Sequence, residues 1–499
     1  MCGIFGSNHQ YPFSQAINAL STLQHRGPDE TNFRVTESGI IGHTRLAIID
    51  RANSQQPMTR EGHHLTYNGE IYNYQNLKAA LQGSFETEGD TEVLLQQLSQ
   101  QGPSSIEKLD GMFAFGYFGP ELLLARDPLG IKPLYLKKDG DNVVFGSEMK
   151  ALRHLPGTLA ELPPGSTWSK TSGYSRYFDL DKFRQPNDQF DDSDVDSQIL
   201  QKLTAAVRKR LIADPEVPIG VSLSGGLDSS LIAAIACASR KDLKTFSVGV
   251  NGSEDLQFAR QLAAILGTEH HEYFFSLEDM HRHLSQVIYY LETYDAPLVR
   301  SAIPNYMLAK FASQHVKVIL TGEGADEIFG GYEYLANITD PVTFQNELWM
   351  MVTNLHNTNL QRTDRMTMAF GLEARVPFLD KELVRYVMAI PPAYKFHRGQ
   401  GTEKTLLRRA FKGHLPDSLL LRQKQKFSKG AGSSDLMREF ANNTVTDAQF
   451  SQLKCQYPNA GLRSKEEAYY FTIFQSHFGD SIPLELIGRT RSITPTELR

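Results

Sequence analysis

Val217-Pro218-Ile219-Gly220-Val221-Ser222-Leu223-Ser224-Gly225-Gly226-Leu227-Asp228-Ser229-Ser230 is an apolar run that breaks on two glycines and resumes in helix-forming residues. Val217 to Leu223 reads as a buried strand and Ser229 to Ser239 as a helix, so the small residues between them make a tight strand-to-helix turn. Such a turn exposes backbone N–H groups, and the helix start adds roughly half a positive charge, which suits a phosphate. The chain contains no Gly-Lys pair and no G-x-G-x-x-G spacing, so the turn is neither a Walker A loop nor a dinucleotide fingerprint.

Strand and helix patterns alternate outward from this turn. Leu243 to Val250, His271 to Phe275 and Val316 to Leu320 read as further strands and Leu256 to Leu266 as a helix, a rhythm that predicts a parallel sheet with helices on both faces. From about residue 340 onward the patterns are largely helical, and the tail from Ile482 reads as loosely held. After the last of these strands, Thr321-Gly322-Glu323-Gly324-Ala325-Asp326-Glu327 again sets small residues and carboxylates at a strand's C-terminal end, where open parallel sheets bind ligands. Glu323 and Asp326 are the candidates there for substrate and metal contacts. Lys404, in Glu403-Lys404-Thr405-Leu406-Leu407-Arg408, is placed on a helix, where a lone Lys reads as an ordinary solvated face.

Residues 1 to about 180 follow another pattern. Short β-rich runs at Gly39 to Gly42, Met112 to Phe118, Leu122 to Ala125 and Asn142 to Phe145, with few helices such as Glu92 to Leu98, predict packed antiparallel sheets. Between Asp179 and Ser197 five aspartates, Asp188, Asp191, Asp192, Asp194 and Asp196, crowd a stretch with few large apolar residues, a linker signature that lacks the Gly and closing Glu of a calcium loop. The expected organisation is two domains, residues 1–180 and 199–499, joined by an acidic linker at 181–198.

Hydrophobic residues at 40% and charged residues at 22% of 499 describe an ordinary globular protein, and a net charge of -6 gives no reason to expect a nucleic-acid or membrane partner. Cys2, Cys237 and Cys455 form no paired framework. With no signal-peptide pattern and no eighteen-residue apolar segment, a cytoplasmic protein is expected. His270-His271 is not a zinc pair, because neighbours on a strand point to opposite faces.

Cys2 directly follows Met1, so removal of Met1 leaves a thiol and an α-amine on one residue, a nucleophile with its own base. Behind it come His25-Arg26-Gly27-Pro28-Asp29, Arg45-Leu46-Ala47-Ile48-Ile49-Asp50, Asn68-Gly69-Glu70 and Gly89-Asp90. Acyl transfer from an amide needs donors for an oxyanion, which an Asn side chain and a Gly N–H supply, while an Arg clamps an α-carboxylate and a carboxylate holds an α-ammonium. Singly, these strings read as a turn, a hairpin or a surface charge.

Taken in order, and with Arg126 to Tyr135 and Gly146-Ser147-Glu148, they resemble the class II glutamine amidotransferase domain of the N-terminal-nucleophile family over residues 1 to about 165. The resemblance implies an α+β sandwich of antiparallel sheets in which Cys2 attacks the glutamine amide, Asn68 and Gly69 form the oxyanion hole, and Arg45, Leu46, Ala47, Ile48, Ile49, Glu70 and Asp90 bind glutamine. Ser224-Gly225-Gly226-Leu227-Asp228-Ser229 resembles the pyrophosphate loop of ATP pyrophosphatases, which implies an adenine nucleotide alpha hydrolase-like α/β domain. Ser224, Gly225, Gly226, Leu227, Asp228, Ser229 and Ser230 would then hold pyrophosphate, Leu223 and Val248 line the adenine site, Thr321 and Gly322 border the nucleotide, and Asp228 with Asp326 place Mg2+.

Together with Ser247-Val248-Gly249, Glu292-Thr293-Tyr294-Asp295 and Gly371 to Asp380, the two halves resemble the glutamine-dependent asparagine synthetases over essentially the whole chain. That resemblance implies ATP, glutamine and aspartate as substrates, ammonia passed between two sites, a β-aspartyl-AMP intermediate, and a homodimer. Arg300 and Glu323 would meet the carboxylate substrate, and only this resemblance raises Lys404 to a cation able to offset departing phosphate charge. Bacterial-type members commonly carry a Thr-Thr pair before that arginine, whereas this chain reads Ala296-Pro297-Leu298-Val299-Arg300, so a different small carboxylic acid is the alternative acceptor. A β-lactam-synthetase-like cyclase would have no use for Cys2, and a catalytically idle glutamine or nucleotide sensor would have no use for intact nucleophile, oxyanion and pyrophosphate motifs.

Overall fold

In the computed structural model the described residues are 2–184, 190–395, 403–422 and 433–491. The short β-rich runs of the first half become β1 (Gly3–Ser7), β2 (Glu30–Thr36), β3 (Gly39–Arg45), β4 (Met58–Arg60), β5 (His63–Ile71), β6 (Gly111–Phe118), β7 (Leu122–Arg126), β8 (Tyr135–Asp139), β9 (Asn142–Gly146), β10 (Thr158–Glu161), β11 (Ser166–Ser169) and β12 (Gly173–Arg176). They form two antiparallel sheets, ordered β10-β8-β9-β1-β3-β2 and β12-β11-β7-β6-β5-β4. Because side chains alternate along a strand, one set from each sheet, including Ile4, Ile41, Ala114, Leu124 and Phe145, meets in a shared apolar layer. Gly6 and Gly116 let the Phe145 ring lie against the backbone: a Cβ on either would stand 2.5 Å or less from that ring. The outer faces are covered by the helices Phe13–Thr22 and Asp90–Gln101.

The second half holds β13 (Ile219–Ser222), β14 (Lys244–Gly249), β15 (Glu269–Phe274), β16 (Val318–Leu320) and β17 (Glu373–Arg375), an all-parallel sheet in the order β15-β14-β13-β16-β17. Alternate residues go to opposite sides: Ile219, Val221, Val318 and Leu320 pack with the helix Leu227–Ser239, while Phe246, Val248, Ile319 and Ala374 pack with the helices Leu277–Leu291 and Ala296–Ala312. Burial on both faces is what near-continuous apolar strands require.

Beyond residue 340 the described chain is largely helical, as expected, and β17 is a strand within it that the sequence pattern does not single out. Its sequence, Glu-Ala-Arg, has no strand propensity; pairing with β16 in the register Ile319↔Ala374 imposes the conformation. The described part of the tail, residues 482–491, is held where a loose segment was expected: Ile482 and Ile487 are buried, Thr490 N–H and Oγ1 bond Asp295, and the Arg489 guanidinium lies 4.8 Å from the Tyr294 ring centre; residues 492–499 lie outside the described residues. Beyond Ile487 the anchoring is polar and aromatic, through Thr490 and Arg489, which apolar patterning does not reveal. Within the acidic stretch, a helix begins at Val195, and Asp192 and Asp196 pair with Arg409 at 2.8 and 2.7 Å.

Buried charge joins the halves. Arg26 donates through Nε to the Cys2 carbonyl at 3.0 Å and through Nη1 to Glu148 at 2.6 Å and Asp364 at 2.8 Å. Glu292 accepts from the Lys150 N–H at 2.7 Å and pairs with Arg365 at 3.0 Å. Among the described residues no helix is long and apolar enough to cross a membrane.

Candidate active site

Cys2 stands at the head of β1, a central strand, and its nitrogen donates to Asn68 Oδ1 at 2.9 Å. Asn68 is fully buried on β5, and its Nδ2 has no hydrogen-bond partner among the described residues. A buried amide donor left unused costs free energy, a cost that an acceptor brought by a ligand would relieve. Gly69 follows, and a Cβ there would stand 2.1 Å from the Met112 carbonyl oxygen, so no side chain fits between β5 and β6. The Cys2 thiol is pushed above its ordinary value by burial, against the pull of the Leu46 N–H and of Arg45.

A pocket opens at Cys2, lined by Arg45, Leu46, Ile48, Ile49, Gly69, Glu70 and Asp90 among others. Ala47 does not line it; its N–H is tied to Asp29 Oδ2 at 2.8 Å, which fixes the loop. Arg45 ends β3 and is steered by Glu30 at 2.8 Å and by the carbonyls of Arg51 and Asp50 at 2.9 and 3.0 Å. Asp90 opens the helix Asp90–Gln101 and accepts from Tyr67 Oη at 2.8 Å and Ile71 N–H at 3.0 Å. Burial outweighs these donors and pushes its carboxyl up to about 6. Burial, with Glu373 adding repulsion, likewise holds the Glu70 carboxyl well above the usual range.

The second cluster forms where β13 and β16 end. Gly225 adopts φ +68°, a left-handed turn that sets its backbone against Ala259 N and Phe258. Ser224 N–H bonds Ser229 Oγ at 3.2 Å, Ser229 Oγ donates to Gly226 O at 3.1 Å, and Ser230 Oγ is buried with no hydrogen-bond partner among the described residues. Leu227 begins the helix behind the loop. Ser247 Oγ donates to the Leu223 carbonyl, so Leu223 and Val248 lie on neighbouring strand ends. Gly322 abuts the loop, with its would-be Cβ 2.8 Å from Asp228 Cβ. Thr321 Oγ1 accepts the Glu323 N–H at 3.3 Å.

Lys404 ties this cluster together: its Nζ bonds both oxygens of Asp228 at 2.5 to 2.6 Å and Asp326 Oδ1 at 2.6 Å. It is not on a helix as expected; it precedes the helix Thr405–Ala410 at φ +56°, where two carboxylates hold it. Among the described residues no group of three or more His, Cys, Asp or Glu could hold a metal ion. Magnesium bridging phosphates needs only one or two protein carboxylates, and Asp228 and Asp326, converging on one cation, fit that role.

One family model, described as a glutamine amidotransferase domain, matches residues 1–172, and another, described as asparagine synthase, matches 198–340 and 336–472. The chain is 38% identical to asparagine synthetase [glutamine-hydrolyzing] 2 of Arabidopsis thaliana over 96% of its own length and 88% of the relative's. It belongs to the asparagine synthetase family. It is also 37% identical to a probable asparagine synthetase of Schizosaccharomyces pombe, covering 96% of this chain and 94% of that one, and 36% identical to asparagine synthetase B of Escherichia coli, covering 96% and 91%.

As in the sequence reading of this asparagine synthetase family chain, Cys2, Asn68, Gly69, Glu70, Arg45 and Asp90 converge, as do Ser224, Asp228, Asp326 and Lys404. Glu323 instead pairs with Arg362 and accepts from Thr363 Oγ1 at 3.2 Å, both on the helix Asn359–Met368. Arg300 is not brought to Glu323 in the described contacts; its Nε donates to the Ala296 carbonyl at 3.3 Å and lies 3.5 Å from Glu466. Sequence reading passed over Arg362, Thr363 and Glu327. Glu327 is buried, bonds Tyr332 Oη at 2.6 Å, and is pushed up to about 7 by burial beside Asp326 and Glu323. The signal for the first two was a helix, Asn359-Leu360-Gln361-Arg362-Thr363-Asp364-Arg365, too polar for the burial its flanking apolar runs demanded.

Proposed function

We propose that the protein is a glutamine-hydrolysing asparagine synthetase, a carbon–nitrogen ligase converting ATP, aspartate, glutamine and water to AMP, diphosphate, asparagine and glutamate. The observation that carries this is Asn68, which holds the Cys2 nitrogen with its oxygen while its buried Nδ2 has no hydrogen-bond partner among the described residues. With Met1 removed, that nitrogen is an α-amine able to take the thiol's proton as sulfur attacks the glutamine amide. Asn68 Nδ2 and the Gly69 N–H stabilise the oxyanion, Arg45 takes the α-carboxylate, and Glu70 and Asp90 take the α-ammonium. The proton returns to the leaving nitrogen, ammonia departs, and water releases glutamate from the thioester. Asn68→Ala is expected to lower the glutaminase kcat about 10²- to 10³-fold, read as glutamate release, with ammonia-driven synthesis unchanged.

In the second half, aspartate's β-carboxylate attacks the α-phosphorus of ATP, forming the β-aspartyl-AMP mixed anhydride and expelling diphosphate onto the Ser224 to Ser230 loop and Lys404. Asp228 and Asp326 would hold Mg2+, which supplies charge neutralisation of the phosphates. Ammonia then displaces AMP, with Glu323 placed to take the proton. Leu46, Ile48, Met112, Leu129 and Ile131 of the first half share one buried cluster with Leu223, Val376 and Leu379 of the second, so apolar side chains separate the sites and favour passage of neutral ammonia. The same reading divides the chain at the acidic linker 181–198 and takes the protein as a cytoplasmic homodimer.

A second reading, amidation of another small carboxylic acid, is favoured by one observation: Arg300 faces Glu466, and Ala296, Pro297 and Leu298 offer no side-chain donors beside it. Pyrophosphate release measured across a panel of small carboxylic acids decides between them. Aspartate is expected to exceed every other acid by about 10²-fold or more in kcat/KM. Another acid taking that place establishes the second reading.

A further inference from the structure

The residues lining the pocket on Cys2 all belong to the first half, but one of them, Glu70, is contacted from the second. Arg375, the last residue of β17 in the parallel sheet, is fully buried and reaches across to Glu70, its Nη2 3.4 Å from Glu70 Oε1. Every other arm of that guanidinium is tied within its own half: Nε bonds Glu373 at 2.5 Å, and Nη1 donates to the carbonyls of Arg210 at 2.7 Å and Ile212 at 2.5 Å. Nη2 makes no hydrogen bond among the described residues, and Arg375 is the only ion-pair partner of Glu70 among them. The Arg375 carbonyl in turn accepts the Thr321 N–H at 2.9 Å, so this residue also touches the loop that leads to Glu323.

We propose that Arg375 is a positioning residue of the glutamine pocket, its rigidly held Nη2 fixing the Glu70 carboxylate for the α-ammonium of glutamine. The inference rests on the reading of Glu70 as an ammonium contact. Three buried carboxylates, Glu70, Asp90 and Glu373, crowd this region, and Arg375 is the chief cation that opposes their mutual repulsion at Glu70. An uncharged Glu70 would hold an ammonium poorly, so a residue of the synthetase sheet decides how well the other half recognises its substrate.

The test compares glutamine with its analogue lacking the α-amine, using the full-length enzyme and glutamate or dicarboxylate release as the readout. Arg375→Gln is expected to raise the KM for glutamine about tenfold while leaving the analogue within about twofold, and to leave ammonia-driven pyrophosphate release within about twofold. Adding Arg375→Gln to Glu70→Gln is expected to cause no further loss, because the two changes remove one contact. Should Arg375→Gln fail to fold, Arg375→Lys reads the same quantity: its single ammonium is claimed by Glu373 and the two carbonyls and leaves Glu70 unsupported. Undiminished discrimination between glutamine and the analogue in a folded Arg375 variant, or equal losses on both substrates, overturns the proposal. If Glu70→Gln itself fails to discriminate, the assignment of Glu70 falls instead.

Discussion

Cys2→Ala is expected to abolish glutamine-driven synthesis, lowering glutamate release by about 10⁴-fold or more, while ammonia-driven pyrophosphate release stays within about twofold. The asymmetry follows from where the groups lie. Cys2 heads a strand of an antiparallel sheet, whereas Asp228, Glu323 and Asp326 follow strands of the parallel sheet and Lys404 meets Asp228 and Asp326 from just before the helix Thr405–Ala410. Burial pushes the thiol's pKa up against the pull of the Leu46 N–H, the base proposed for it is the α-amine that removal of Met1 leaves on the same residue, and alanine leaves no sulfur to attack. Cys2→Ser, nearly isosteric, is expected to behave the same way, because a hydroxyl is far harder to ionise than a thiol. The side chain is small, so the loss of packing is about 1 kcal/mol and the unfolding temperature moves only a few degrees. Comparable losses with glutamine and with ammonia would instead make Cys2 a structural residue, and sustained glutamate release would remove it from the chemistry.

The strand-turn-helix at Val217 to Ser239 was legible because three independent signals agree there: an apolar run, a glycine pair that only a turn requires, and a helix period. The alternating runs of the first half were legible for the same reason. β17 was not, since three residues carry no periodicity and its conformation comes entirely from pairing with β16. That single omission hid Arg375, whose contact with Glu70 spans 305 positions of chain and leaves no local trace. The residues that the structure gathers around Cys2 could be picked from the sequence because each residue type there suits one chemical task, whereas contacts such as the Cys2 nitrogen on Asn68 Oδ1 left no trace in it. The acceptor side was harder: Arg362 and Thr363 look like an ordinary polar helix face until Glu323 is seen against them. Lys404 shows the opposite error, a residue correctly picked for its charge but misplaced in conformation, because a left-handed non-glycine is set by tertiary ion pairs and not by propensity.

Those ion pairs make Lys404→Met the sharpest probe of the second site. Its Nζ lies within 2.6 Å of Asp228 and Asp326, and it is the group that holds two carboxylates together at the mouth of the Ser224 to Ser230 loop. Methionine keeps the length of the stem but removes the charge, so the carboxylates repel each other and the leaving diphosphate loses a cation as its charge develops. Pyrophosphate release with aspartate is expected to fall about 10²- to 10³-fold with either nitrogen source, while glutamate release from glutamine changes less than about threefold. The variant therefore hydrolyses glutamine without making product, the mirror image of Cys2→Ala. Lys404→Arg is expected to recover little of this, remaining at least about tenfold below the native enzyme. The reason is space: Gly331 approaches so closely that a Cβ there would stand 2.2 Å from Lys404 Cε, and a planar guanidinium is wider than the ammonium the two carboxylates enclose. Full activity in Lys404→Arg would show that only charge is required, and unchanged pyrophosphate release in Lys404→Met would place the departing phosphate elsewhere.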